Sequence, residues 1–173
     1  MKKYIIFGLA SVLSLVSCKR DFEKANPNAV TTKLFWQSSN DAIKGVNAVY
    51  STFKLTELTY SRFLFYHGML KSDEGFGSGG DINLNNSMRF NEPNTNAGTM
   101  AGTWRILFVG VFRANQVIAN VPNINMDAIL KARIIGEAKF LRALFYYNLT
   151  LYYGRPPLML SPSQPDDQPA NAT

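Results

Sequence analysis

Apolar side chains recur along this chain at helical spacing, and clusters of Gly, Asn and Pro divide them into separate segments. Ser38 or Ser39 can cap a first helix running to about Leu55, with Ile43, Val46, Tyr50 and Phe53 on one face. Thr59 to Leu70, TYSRFLFYHGML, predicts a second helix crowded with large apolar and aromatic residues. A third is predicted from about Thr99 to Val121, with Trp104, Phe108, Val111, Asn115 and Ile118 as its face and Pro122 as its stop. The fourth runs from about Met126 to Tyr153, capped by Asn125 or Asn123. Its predicted inward face is Ile129, Ala132, Gly136, Phe140, Ala143, Tyr147 and Leu151. Gly154 suits the position just past the helix, and Pro156-Pro157 forbids continuation.

Small residues at Ala132, Gly136 and Ala143 predict close approach of a neighbouring helix, with aromatics filling the space around them. The implied fold is all-α, built of tetratricopeptide-like helical hairpins, helix one with two and helix three with four. No clean repeat of about 34 residues is present, and such arrays need about three or more units to bury their faces. Between the pairs, Ser72 to Gly98 is rich in Gly and Asn and reads as a long loop, with room for a short strand. Loops of that length inside a helical domain are unusual and often functional.

Composition changes this picture little. Hydrophobic residues make up 46% and aromatics 13%, enough for a core and unlike a disordered chain. The net charge is +6; without Lys2 and Lys3 the 18 basic residues become 16 against 12 acidic ones, or +4. No basic run extends beyond Lys19-Arg20, so nucleic acid is not an expected partner.

The N-terminus is more telling. Lys2-Lys3 precede an apolar stretch from Tyr4 to Val16, short of the ~20 residues a membrane span needs and suited to a signal peptide. It ends in Leu15-Val16-Ser17-Cys18, a lipobox-like sequence that places the single cysteine where a lipid would be attached. Residues 1–17 are then a lipoprotein signal peptide, and 18–35 a lipidated polar tether. Residues 36–160 form the helical domain, and 161–173, SPSQPDDQPANAT, a disordered tail at which the domain stops short.

Four stretches carry a resemblance. FWQSSNDAIKGVNAVYSTF spans Phe35–Phe53, KSDE spans Lys71–Glu74, and WRILFVGVFRANQVIANV spans Trp104–Val121. GEAKFLRALFYYNLTLYYGRPPLM spans Gly136–Met159. In this order they resemble the SusD/RagB family of outer-membrane lipoproteins of Bacteroidetes-type bacteria. The family hallmark is matched at Gly136, Glu137, Ala138, Lys139, Phe140, Leu141, Arg142, Ala143, Tyr146, Leu149, Tyr153 and Gly154. The resemblance covers Cys18 to about Leu160 but only the N-terminal portion of the family's usual length.

The resemblance implies a non-enzymatic nutrient-binding protein anchored at the outer membrane by palmitate-type lipidation. It would capture an oligosaccharide and hand it to a TonB-dependent, SusC-like transporter, and this chain would be a fragment of that architecture. Lys19-Arg20 depart from the acidic residues that commonly follow the lipidated cysteine in surface lipoproteins of these bacteria. A lipid-anchored helical scaffold of the periplasm is the alternative.

Glycan recognition needs flat aromatic faces and planar polar groups. The loop offers Phe76, Asp81, Asn83, Arg89, Phe90 and Asn91. Asp81, Asn83, Asn85 and Glu92 also imitate a calcium loop, although its sixth place is Asn86 rather than Gly. No cofactor motif is present. His67, the one histidine, has no acidic or serine neighbour at catalytic spacing. Asp73-Glu74 and Asp166-Asp167 are adjacent in sequence and do not form a pair facing across a substrate. Glu137 and Arg142 read as packing and ion-pair groups.

Lipidation of Cys18 is directly testable. Metabolic labelling with a fatty-acid analogue is expected to tag the protein, and Cys18→Ala to abolish the tag; labelling that survives the substitution excludes Cys18 as the acceptor.

Overall fold

The computed structural model describes residues 32–55, 68–76, 82–91, 98–163 and 166–167. Five α-helices are found among them, and no strand. They are α1 (Thr32–Phe35), α2 (Ser39–Tyr50), α3 (Ile82–Met88), α4 (Gly98–Asn120) and α5 (Ala128–Tyr153). The described residues from Lys33 onward belong to one compact unit. The expected second helix falls largely outside the described residues; its end, Met69–Lys71, is a 3-10 turn.

α2 begins with a complete capping box. The Ser38 hydroxyl accepts from the Asp41 amide, and the Asp41 carboxylate accepts from the Ser38 amide at 3.0 Å. The Ser38 hydroxyl also donates to that carboxylate, which above all holds the Asp41 carboxyl below its ordinary value. A lowered carboxyl stabilises the fold above its ordinary range, and that contribution is lost as the pH falls through the lowered value. α2 ends in a 3-10 turn, Ser51–Lys54. There the Arg113 guanidinium donates to the Ala48 carbonyl at 3.0 Å and to the Ser51 and Thr52 hydroxyls. A cation thus meets the carbonyl end of a helix, where it is favoured.

α4 and α5 form an antiparallel hairpin. Pro122 sits in the 3-10 turn Val121–Asn123 that closes α4. α5 is capped by Asp127, whose carboxylate accepts from the Leu130 amide at 2.8 Å. The cap is therefore Asp127, not Asn123 or Asn125, since only at Asp127 does the side chain reach back to the first turn. At the open end the Tyr153 hydroxyl donates to the Met100 carbonyl at 2.6 Å, and its ring meets Trp104 edge-on. Gly154, at φ +79°, ends α5.

The core joins Ala42, Val46 and Val49 of α2, Leu107, Val111, Ala114 and Val117 of α4, and Ile134, Ala138, Leu141, Phe145 and Leu149 of α5. Its tightest point is Gly110. A methyl group there would stand 2.5 Å from the ring carbons of Phe145, which is fully buried. Phe53 stacks on that ring, centroids 5.2 Å apart and planes 23° off parallel.

Two expected faces are corrected by this packing. On α2 the buried positions are Ala42, Gly45, Val46 and Val49, while Ile43 and Tyr50 are exposed. On α5 the expected face points outward throughout. Ile129, Phe140, Tyr147 and Leu151 are 60–81% exposed, and Ala132, Gly136 and Ala143 are exposed with them. A side chain added at Gly136 would meet nothing within 4 Å. The small residue that admits its neighbour is on α4 instead, because the large ring lies on α5. Gly45 does the same on α2, where a methyl group would stand 2.5 Å from the Trp36 ring.

After α5 the chain turns back as an extended strap across the hairpin. The amide of Asn115, 1% exposed, donates to the Met159 and Ser161 carbonyls, each at 2.9 Å. Its oxygen accepts from Arg142 at 2.7 Å, and Arg142 also donates to the Leu160 carbonyl. The Tyr146 hydroxyl accepts from the Met159 amide, and burial raises its pKa. Each buried polar atom named here has a partner, which such atoms require.

Gly110→Ala is expected to destabilise the fold by about 1–3 kcal/mol through overpacking. Gly136→Ala is expected to stabilise it by about 0.5–1 kcal/mol, since an exposed helical glycine gains from a side chain. Urea unfolding of the two variants checks both signs; equal and small effects would show that Phe145 does not depend on the notch.

Candidate functional site

Of the loop residues singled out above, those in the described segments gather around a short helix. α3 replaces the expected loop-or-strand at its centre, and it packs against the 3-10 turn Met69–Lys71. That turn is braced by the Ser72 hydroxyl, which donates to the Met69 carbonyl at 2.8 Å and accepts from the Glu74 amide. Leu70 is buried beneath it. Gly75 passes so close to the Met69 carbonyl that any side chain would strike it.

α3 ends in an arrangement that determines how the site is presented. The Arg89 amide donates to the Asn85 carbonyl, and the Asn91 amide reaches back to the Asn86 carbonyl at 2.9 Å. The residue between them, Phe90, has φ +53°, the left-handed conformation usually given to glycine in this helix-ending motif. Holding a non-glycine residue there costs about 1–2 kcal/mol. Such strain tends to be kept at functional positions. Its effect here is to aim an aromatic ring away from the helix: Phe90 is 71% exposed, and the Lys71 ammonium lies 5.9 Å from its centroid. Arg89 and Asn91 flank it, both exposed.

Phe76 is 80% exposed on the preceding segment. Asn83 lies on α3. Asp81, Glu92, Cys18 and His67 lie outside the described residues. The structure thus joins Arg89, Phe90 and Asn91 into one presented tip and adds Lys71, which the sequence reading did not single out. A lysine two residues before Asp73-Glu74 carries no spacing that would have marked it.

Two residues of the calcium alternative, Asp81 and Glu92, lie outside the described residues. Asn83 and Asn85 are residues of a helix, and a calcium loop must instead wrap its alternate side chains around the ion. Among the described residues no group of three or more His, Cys, Asp or Glu could hold a metal. Glu137, on the hallmark stretch, accepts from Arg133 at 2.7 Å one turn away. The Tyr50 hydroxyl lies beside that carboxylate; burial and then Glu137 raise its pKa.

With this geometry in view, the chain was compared with known proteins. No family model matches it. Two SusD-like proteins of Formosa agariphila are each 26% identical, one over 91% of this chain and the other over 87%. A solved laminarin-binding SusD-like protein superposes with a TM-score of 0.62 at 25% identity, over 79% of this chain. The chain is therefore SusD-like in sequence and in fold, and it spans about 30% of the length of each of these relatives.

The strain at Phe90 can be read out by itself. Phe90→Ala and Phe90→Gly both remove the ring, but only glycine relieves the left-handed backbone. The Gly variant is expected to be the more stable of the two by about 1 kcal/mol in urea unfolding. Equal stabilities would show that residue 90 is not held in that conformation in solution.

Proposed function

We propose that this chain serves a cell-surface, lipid-anchored glycan-binding protein that works with a TonB-dependent, SusC-like transporter in the outer membrane. The observation that carries the reading is the joint likeness, in sequence and fold, to a laminarin-binding SusD-like protein over 79% of the chain. The strained and exposed Phe90, with Arg89 and Asn91 beside it, supports the reading with suitable chemistry. An aromatic face stacks on the C–H side of a sugar ring while guanidinium and amide groups meet its hydroxyls. Phe76 adds a second exposed ring. The function is binding, with no bond made or broken, and oligosaccharides are the ligand class.

Anchorage is assigned to Cys18 on the lipobox-like sequence Leu15-Val16-Ser17-Cys18 that ends the apolar N-terminal stretch. The outward stripe of α5 supports a scaffold role within a longer architecture. A helix apolar on opposite sides suits a position between two layers, and the relatives are about three times as long. A lipid-anchored periplasmic scaffold is the second reading, favoured by that same stripe. Proteinase treatment of intact cells separates the two, since only a surface protein is cut.

Calorimetric titration of the purified chain with an oligosaccharide panel that includes β-1,3-glucan tests the function. Specific binding weakened about tenfold by Phe90→Ala is the expected outcome. Absence of binding to every neutral oligosaccharide would exclude the glycan reading for this chain.

A further inference from the structure

A groove of about 350 Å³ lies between α4 and the strap that follows α5, separate from the α3 tip. One wall is aromatic. Trp104, Phe108 and Phe112 are spaced four residues apart, so they form a single stripe along α4 about 12 Å long. The stripe is firmly seated at one end and open at the other. Trp104 packs against Phe108 at 4.8 Å and Tyr153 at 5.0 Å, whereas Phe112 is 41% exposed.

The other wall is the strap. Pro157, Met159, Ser161 and Ser163 all line the groove. Leu158 and Leu160, the intervening residues, are exposed. This wall is fixed in place by Asn115, Arg142 and Tyr146, which hold the backbone at Met159, Leu160 and Ser161. Asp167 completes the lining and is its one charged group.

We propose that this groove is a binding site for a pyranose ring of a neutral oligosaccharide. The volume falls at the low end of ligand pockets, about 300–1,000 Å³, which suits one or two sugar rings. The aromatic stripe presents faces for the C–H side of a ring, while the serine hydroxyls and the Asp167 carboxylate accept from or donate to sugar hydroxyls as their chemistry allows. A carboxylate as the one charge disfavours uronic or sulfated sugars, because like charges would meet. Both walls are set before any ligand arrives, which limits the ordering cost of binding. The site deepens the glycan-binding reading and rests on it, but it uses residues distinct from the α3 tip.

The chain has two tryptophans, Trp36 and Trp104, so Trp36→Phe leaves Trp104 as the only indole reporter. The lipid-anchored full chain is studied in a detergent without sugar headgroups. Laminaritetraose is expected to change Trp104 emission saturably, and an oligogalacturonate not to. Phe112→Ala is expected to weaken the effect about tenfold and Asp167→Asn also to weaken it. Phe112 and Asp167 are exposed, so neither substitution threatens the fold. Calorimetry on the same samples separates the possible failures. Heat of binding that survives both groove substitutions but is lost with Phe90→Ala overturns the groove and leaves the glycan reading standing. No heat with any oligosaccharide overturns both. Equal binding of the oligogalacturonate overturns the assignment to neutral sugars.

Discussion

Phe145 and Gly110 occupy a space that only one side chain can fill, and the rest of the fold is arranged around that fact. The ring lies 2.5 Å from where a β-carbon of residue 110 would stand, and Phe53 stacks on it. Interiors packed this closely do not adjust by sliding. The notch therefore sets both the distance between α4 and α5 and the rotation of α5 about its own axis. With Phe145 inward, Leu141, Ala138 and Ile134 follow at helical spacing, and Leu149 extends the row by one turn.

That rotation decides the remaining surfaces. It places Arg142 and Tyr146, which flank the inward row, on the side where Asn115 rises from α4. Together they anchor the strap by backbone groups alone, so the strap's route does not depend on which side chains it carries at Leu158 or Leu160. The groove beside Trp104 exists because the strap is held there rather than packed flat on α4. The same rotation sends Ile129, Phe140, Tyr147 and Leu151 to the opposite side, where no described residue covers them.

Much of the helical framework is legible in the sequence, because its ends are marked by groups with few alternatives. Ser38 with Asp41 three residues on is a capping box in letters as in space, and Pro122 and Gly154 end helices for steric reasons. The face of α5 is not legible. Large apolar residues surround that helix, so both an inner and an outer stripe satisfy helical spacing, and periodicity cannot choose between them. The discriminating letter lies on the other helix: a glycine inside the run Phe108-Val109-Gly110-Val111-Phe112. A helix seldom carries a glycine among bulky neighbours unless something must come close. α3 was hidden for the opposite reason. Its Asn-rich sequence has weak helix propensity, and its closure depends on Phe90 adopting a conformation that composition does not advertise.

The two candidate contact surfaces differ in what maintains them, and the difference bears on how each can act. At the α3 tip a single residue is held against its own backbone preference, with a lysine beside its exposed ring. The groove has two walls joined by buried hydrogen bonds, and its aromatic residues are graded from the seated Trp104 to the open Phe112. A ring entering there is bounded on both faces without first ordering the protein. Under the proposed glycan-binding function, contact at an exposed tip and retention of a ring between fixed walls are complementary tasks. The hairpin set by Phe145 and Gly110 supplies the rigid element for the second task, whereas the first depends on a short helix outside that core.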